Sequence, residues 1–366
     1  MMKKNTILVI LFLIIQLAGS AQSDSIIRRI VLIGDAGKLT DGRHPVAEAV
    51  RKTIPLNKQT TIVYLGDNIY DEGLPEPGHH FYNEAKIILN SQLAVADSTE
   101  SLVYIIPGNH DWNDAHKGGL EAIMRQQQYV DDSIHKSNVK FYPEKGCPGP
   151  VELPLGSDAV LVLFDSQWWL HSDEKPGEGS GCSCTTKEAL TNKIREIITK
   201  NTGKLVVVAS HHPLKSNGIH GGYFTLKQHI FPLTDIKKGL YIPLPVIGSL
   251  YPLLRSMGIS KQDLKNRTYK KMVSELESAA GSFPNVVFAA GHEHSLQLIK
   301  DGSRYNIVSG GGCKSTRVKK KKNSLYAVNS PGFSVLEISN TKRVTVSFYT
   351  VGESIQKTYS NTLFRL

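Results

Sequence analysis

The chain has 366 residues, with 43 Lys and Arg against 33 Asp and Glu for a formal charge of +10 at pH 7, and 4 cysteines. Such a basic surface would concentrate phosphorylated ligands or hold the protein near anionic lipid. No helix-turn-helix, finger or RNA-binding aromatic motif accompanies it, so the usual readers of nucleic acid are excluded and no nucleic-acid partner is expected. The cysteines fit an oxidising compartment, and Cys182-x-Cys184 is a poor zinc signature because no second Cys or His pair lies nearby.

Residues 1–21 begin with Lys3 and Lys4, continue as an apolar stretch over 7–15 and end in Gly19, Ser20 and Ala21, small at both cleavage positions. This is the pattern of a cleaved secretory signal peptide, with an apolar core too short to cross a bilayer. No cysteine stands at the cleavage point to carry a lipid anchor. Cleavage would lower the formal charge to +8 and place the mature chain outside the cytoplasm: periplasmic, on the outer surface or secreted.

Five apolar, β-branched runs then read as buried strands, and each ends in a loop rich in polar donors. Residues 30–33 lead to Gly34-Asp35-Ala36-Gly37, 61–65 to Gly66-Asp67-Asn68-Ile69-Tyr70, and 102–106 to Gly108-Asn109-His110-Asp111. Residues 205–209 lead to His211-His212-Pro213, and 286–290 to Gly291-His292-Glu293-His294. A stiff strand fixes its last residue while the loop leaves the side chain open to a ligand, and glycine before it lets backbone approach closely. Helices are expected at 45–53, 81–96, 120–137, 187–199 and 261–280. Further strands at 305–309, 332–338 and 343–351 are expected to complete a second sheet.

Because the candidate ligands run from Asp35 to His294, the chain cannot be cut into independent halves. One domain is expected over 26–352, with a tail over 353–366. Residues 214–260 form an insertion near the site. Within it, 240–259 is apolar but broken by three prolines and two glycines, so it is no spanning helix. It is expected to form a lip over the site that selects substrates or meets a membrane surface. A bridge across one residue is strained, so if two disulfides form, Cys182 and Cys184 pair separately with Cys147 and Cys313. Single-bridged or free thiols are the alternative.

The five motifs together resemble the calcineurin-like metallophosphoesterase superfamily, and within it the purple acid phosphatases of the tartrate-resistant type, over roughly 30–349. The superfamily's usual Asp-x-His is replaced here by Asp35 and Gly37, and the missing ligand reappears as Tyr70, three residues after Asp67. The resemblance implies an α/β (α+β) four-layer sandwich of two mixed sheets packed face to face with helices outside. It implies that Asp35, Tyr70 and His294 hold one metal, that Asn109, His211 and His292 hold another, and that Asp67 bridges them. The donor set suits Fe(III) with a divalent Fe, Zn or Mn.

The implied activity is a phosphatase that hydrolyses small phosphate monoesters by attack of metal-bound hydroxide at a dinuclear centre. His110 and His220 are the candidate proton donors to the leaving group, His220 by its spacing of nine residues from His211. Asp111 is placed to orient His110, and His212 is not counted as a ligand. Two alternatives stand beside this: a phosphodiesterase or nucleotide hydrolase on the same scaffold, and a non-catalytic secreted metal-binding surface protein.

Overall fold

The computed structural model describes residues 24–133, 138–224 and 258–366, with 227, 230, 231, 233, 239–244, 247–250 and 255 between them. The signal peptide expected over 1–21 lies outside the described residues, as do parts of the insertion.

One seven-stranded sheet is built from β1 (Ile26–Ile33), β2 (Thr60–Leu65), β3 (Leu102–Ile106) and β4 (Val139–Phe141), continued on the other side of β1 by β12 (Gly332–Ser339), β13 (Arg343–Val351) and β14 (Ile355–Arg365). β1 to β4 are parallel, and β12 runs antiparallel to β1. The second sheet, also of seven strands, contains β5 (Val151–Leu155), β6 (Ala159–Leu163), β7 (Leu205–Ala209), β8 (Val286–Ala290), β9 (Leu296–Asp301), β10 (Arg304–Ser309) and β11 (Ser324–Val328) in the order β11-β9-β10-β8-β7-β6-β5. Six helices, among the described residues, accompany them: α1 (Pro45–Thr53), α2 (Tyr82–Leu93), α3 (Gly119–Ser133), α4 (Ser166–Leu170), α5 (Lys187–Lys200) and α6 (Arg267–Ala280).

Alternation along the strands separates two cores, because successive side chains point to opposite faces. Ile30 and Leu32 of β1 and Val63 and Leu65 of β2 join Leu161, Val207 and Val287 between the sheets. Val31, Ile33, Ile62 and Tyr64 instead join helix side chains such as Val50, Leu89 and Ile123 on the outer side. The result is the four-layer sandwich.

Three expectations change. The strands at 332–338 and 343–351 do not complete the second sheet; they return to the first, β12 beside β1, because pairing over some three hundred residues is decided by packing rather than by sequence order. The tail expected over 353–366 is mostly β14, hydrogen-bonded to β13, with Leu363 buried and Tyr359 and Phe364 half-buried against the core between the sheets. The last helix begins at Arg267 rather than 261, because the Asn266 side chain accepts from the Thr268 N–H at 2.9 Å and caps it there. Residues 260–266 are thereby freed as a turn that reaches the site. A single disulfide, Cys147–Cys182, forms, and Cys184 and Cys313 are free thiols. The second bridge is absent.

Candidate metal centre

The site lies where the C-terminal ends of β1, β2 and β3 meet those of β7 and β8, the usual position for a ligand site on parallel strands. The sheets approach so closely there that a Cβ on Gly34 would lie 2.7 Å from the Gly291 Cα, and one on Gly108 would run into the Asp67 carboxylate. Asp35, Asp67 and His292 all take positive φ, at 60°, 53° and 65°. Each such non-glycine residue costs about 1–3 kcal/mol, a strain that collects at functional sites.

Two clusters result. In the first, Tyr70 Oη lies 3.2 Å from Asp35 Oδ1 and 3.1 Å from His294 Nε2, and His294 Nε2 lies 3.4 Å from Asp35 Oδ1. Asp35, Asp67 and His294 can each place a ligand atom within 4.8 Å of the others. In the second, Asn109 Oδ1 is 3.1 Å from both His211 Nε2 and His292 Nδ1, which are 3.2 Å apart. Asp67 Oδ1 is 3.3 Å from His211 Nε2, so this carboxylate touches both clusters.

Hydrogen bonds outside the second cluster decide its chemistry. His211 Nδ1 donates to the Leu65 carbonyl at 2.8 Å and His292 Nε2 donates to the Gln262 carbonyl at 2.9 Å. Their inner nitrogens therefore carry lone pairs, aimed at a carbonyl and a carboxylate oxygen that also only accept. Burial, with His220, His212 and His211 close by, holds His292 well below the ordinary imidazole range, so no proton bridges the group. Convergent lone pairs with no hydrogen among them fit a cation. Asp35 Oδ2 points the same way, since it is buried and has no hydrogen-bond donor.

Around this floor the expected auxiliary residues take distinct places. His110 is half-buried, edge-on to the Tyr70 ring at 4.6 Å, with Nε2 3.9 Å from Asp67 Oδ2. Asp111 does not orient it. The Asp111 carboxylate is turned inward, accepting from the backbone N–H groups of Gly108 at 2.7 Å and Asn68 at 3.1 Å and from Gln126 Nε2 at 3.0 Å. The loop is too tight for it to reach its neighbour; His110 Nδ1 donates instead to the Asp71 carbonyl, with Asp114, four residues on, 3.4 Å from the same nitrogen. His220 packs against His292, with ring centroids 4.0 Å apart and the rings tilted by 41°, and donates from Nδ1 to Asp263 Oδ1 at 3.0 Å, Asp263 being paired with Arg255. His212 has both ring nitrogens engaged, by Ser166 Oγ at 2.8 Å and Gln262 Oε1 at 2.6 Å, which removes it from the ligands despite its closeness to His211.

Sequence reasoning missed Glu293, Gln262 and Lys314. Fully buried Glu293, between the two histidines of its motif, accepts from Ser216 Oγ, the Ile219 N–H and the His220 N–H at 2.8, 2.9 and 3.0 Å, and so ties the loop carrying His220 to the floor. Its place inside Gly-His-Glu-His was the available signal. Lys314 Nζ lies 3.2 Å from the centroid of the Tyr70 ring.

The model of the calcineurin-like phosphoesterase family matches residues 28–241. Purple acid phosphatase 4 of Arabidopsis thaliana is 24% identical over 180 residues, 48% of this chain and 49% of that protein, so the match spans about half the length of this curated relative. Among solved structures, GAP50, described as the anchor in the inner membrane complex of Plasmodium, superposes with a TM-score of 0.54 at 18% identity, covering 93% of this chain and 89% of that one. A purple acid phosphatase from yellow lupin (Lupinus luteus) seeds superposes with a TM-score of 0.56 at 12% identity over 92% of this chain and 54% of that one. At these identities the structural likeness speaks for the fold.

Proposed function

This chain belongs to the calcineurin-like phosphoesterase family, and from that premise we propose that it is a metal-dependent phosphatase acting on phosphate monoesters at a dinuclear centre. The observation that carries the reading is the pair of clusters joined through Asp67, one with Asp35, Tyr70 and His294, the other with Asn109, His211 and His292. Cations held there would supply a water of lowered pKa and neutralise the phosphoryl oxygens of an anionic ester. A phenol oxygen beside two carboxylates is a hard donor set that favours Fe(III) in the first cluster, and the amide and imidazoles of the second suit divalent Fe, Zn or Mn.

The remaining residues orient substrate and hold protons. His110 stands at the open side of the Asp67 carboxylate, where its ring can meet a leaving-group oxygen. With Nδ1 of His220 committed to Asp263, its Nε2 is the atom left to meet substrate. Asp263 keeps that tautomer: burial opposes its ionisation, but His220 and Arg255 hold the carboxyl below its usual range.

The test is turnover of an aryl phosphate monoester against the matching diester from acidic to alkaline pH, with Asp67→Asn as control. Monoester preference that disappears in the variant supports the reading. Diester preference would replace it with the phosphodiesterase, and no turnover in metal-loaded protein would contradict catalysis.

A second reading, binding at a membrane surface, is favoured by the exposed Leu240, Tyr241, Ile242, Leu250 and Ile259, gathered in one segment, and by a structural neighbour described as an anchor in a membrane complex. Binding to anionic vesicles that survives Tyr241→Ser with Ile242→Ser would remove it. We also propose export by residues 1–21, which the Cys147–Cys182 bridge supports; the secreted protein should begin after Ala21, and an N-terminus at Met1 would refute this.

A further inference from the structure

The floor of the site does not use the basic run of residues 314–322, yet the fold ties that run to the floor at several points. The Gly312 N–H donates to the Gly34 carbonyl at 2.9 Å, the Thr316 N–H to the His294 carbonyl at 2.6 Å and the Lys319 N–H to the Asn217 carbonyl at 3.0 Å. Asn217 belongs to the loop that carries His220, and its Nδ2 in turn donates to Ser324 Oγ at 2.8 Å. The segment is therefore fastened on one side to the loops of Asp35 and His294, and on the other to the loop of His220. It is a built rim.

Its cations bracket the opening. Lys314 Nζ lies over the Tyr70 ring, and Lys319 Nζ lies 5.9 Å from the centroid of Tyr223, three residues beyond His220. Arg317 is close enough to Tyr241 to join Lys227, whose Nζ donates to Tyr241 Oη at 2.9 Å, in lowering that phenol's pKa. Arg317 and Lys319 to Lys322 are exposed, and among the described residues none forms an ion pair with a carboxylate. Like charges this dense repel one another, a cost that a bound anion would remove.

Distance shows what kind of anion. An extended chain covers at most roughly 3.3 Å per residue, so the cations from Arg317 to Lys322 can spread over up to about 17 Å of rim. Screening confines an exposed charge to about 8–10 Å at physiological salt. A lone phosphate at the floor would feel Lys314 and little of the rest, whereas a ligand with a second phosphate several ångströms away would meet Arg317 and Lys319 directly.

We propose that residues 314–322 form a second anion subsite on the rim of the metal centre, and that the substrates this protein prefers carry a further phosphate group beside the one it removes. The proposal rests on the phosphatase reading of the floor, but its rim can be tested separately. Arg317→Glu, Lys319→Glu and Lys321→Glu are combined in one full-length, metal-loaded protein. A control carries Lys58→Glu, Lys140→Glu and Lys357→Glu, equally exposed and elsewhere on the surface.

The ratio of kcat/KM for a nucleoside triphosphate to that for an aryl monophosphate should fall about ten-fold in the rim variant and less than about two-fold in the control. An equal fall in both, or an unchanged ratio, overturns the proposal, as does loss of binding to anionic vesicles or to nucleic acid with the ratio unchanged. Should neither ester be turned over, the phosphatase reading fails, and binding of inorganic tripolyphosphate by calorimetry still decides the rim. Affinity weakened about ten-fold in the rim variant alone supports the subsite; equal affinity in all three proteins overturns it.

Discussion

At the floor of the metal centre, Asp35, Asp67, His211 and His292 are almost completely buried, three of them in left-handed backbone, and each is held from behind by a strand end or a carbonyl. The rim, made among the described residues by 216–223, 240–244 and 312–322, runs from buried roots to exposed Arg317 and Lys319 to Lys322, carries basic and apolar side chains, and is held by a few hydrogen bonds to loops. The contrast separates two tasks. Reaction chemistry needs lone pairs fixed to within fractions of an ångström, whereas substrate choice needs charge and apolar surface at longer range, where geometry can vary. Glu293 is the joint between them, lying between two floor histidines and accepting three hydrogen bonds from the rim.

Glu293→Ala breaks the comparison at that joint and should have the largest effect. Three donors lose their acceptor at about 1–3 kcal/mol each if buried, so a destabilisation of roughly 3–5 kcal/mol by denaturant unfolding is expected. A fall in kcat/KM of about 10–100-fold should accompany it as His220 loses its place. A variant with wild-type stability and rate would show that the rim does not depend on the floor.

The Cys147–Cys182 bridge lies apart from both regions and closes a loop of sequence separation 35. Its removal by Cys147→Ser with Cys182→Ser should cost about 2–4 kcal/mol in unfolding free energy while leaving kcat within about two-fold. A large loss of kcat would mean that the bridge positions the site.

The smallest effect is a pH dependence beneath the floor. Asp165 accepts from Trp112 Nε1 at 2.7 Å and from the Trp168 N–H at 3.0 Å, and burial pushes its carboxyl up to about 7. A folded value above the unfolded one, near 3.8, favours the neutral acid in the folded state. Its stabilising contribution is complete below about pH 4 and is lost as pH rises through about 7. The melting temperature of the wild type relative to Asp165→Asn should therefore decline by several degrees from pH 4 to pH 8. A constant difference would place the Asp165 titration elsewhere.

The floor was legible because strands buried on both faces read as unbroken runs of Val, Ile and Leu, and each of the five marked strands is followed by a glycine or polar loop. β6, Ala159–Leu163, is as apolar as β7 but leads to no candidate ligand, and it stood outside the pattern for that reason. β14 escaped because this edge strand carries exposed polar residues on successive positions, Gln356, Lys357 and Thr358, and again at Ser360, which dilute the alternation. Periodicity identified β12 and β13 as strands but could not supply their partner, since pairing with β1 is settled by packing across the whole chain. Side-chain direction was legible least. Asp111 is adjacent to His110 in the sequence, yet the tightness of the turn after Gly108 sends it inward and leaves His110 to the Asp71 carbonyl, with Asp114 nearby.

The central claim, that seven side chains form one joined two-metal floor, is tested most directly by counting metal in the purified protein by elemental analysis, with Asn109→Ala and Tyr70→Phe alongside. The account predicts about two ions per chain, with about one lost on Asn109→Ala and the iron and its visible band lost on Tyr70→Phe. Fewer than one ion per chain in metal-replete wild type, or both variants retaining the full complement, would contradict it.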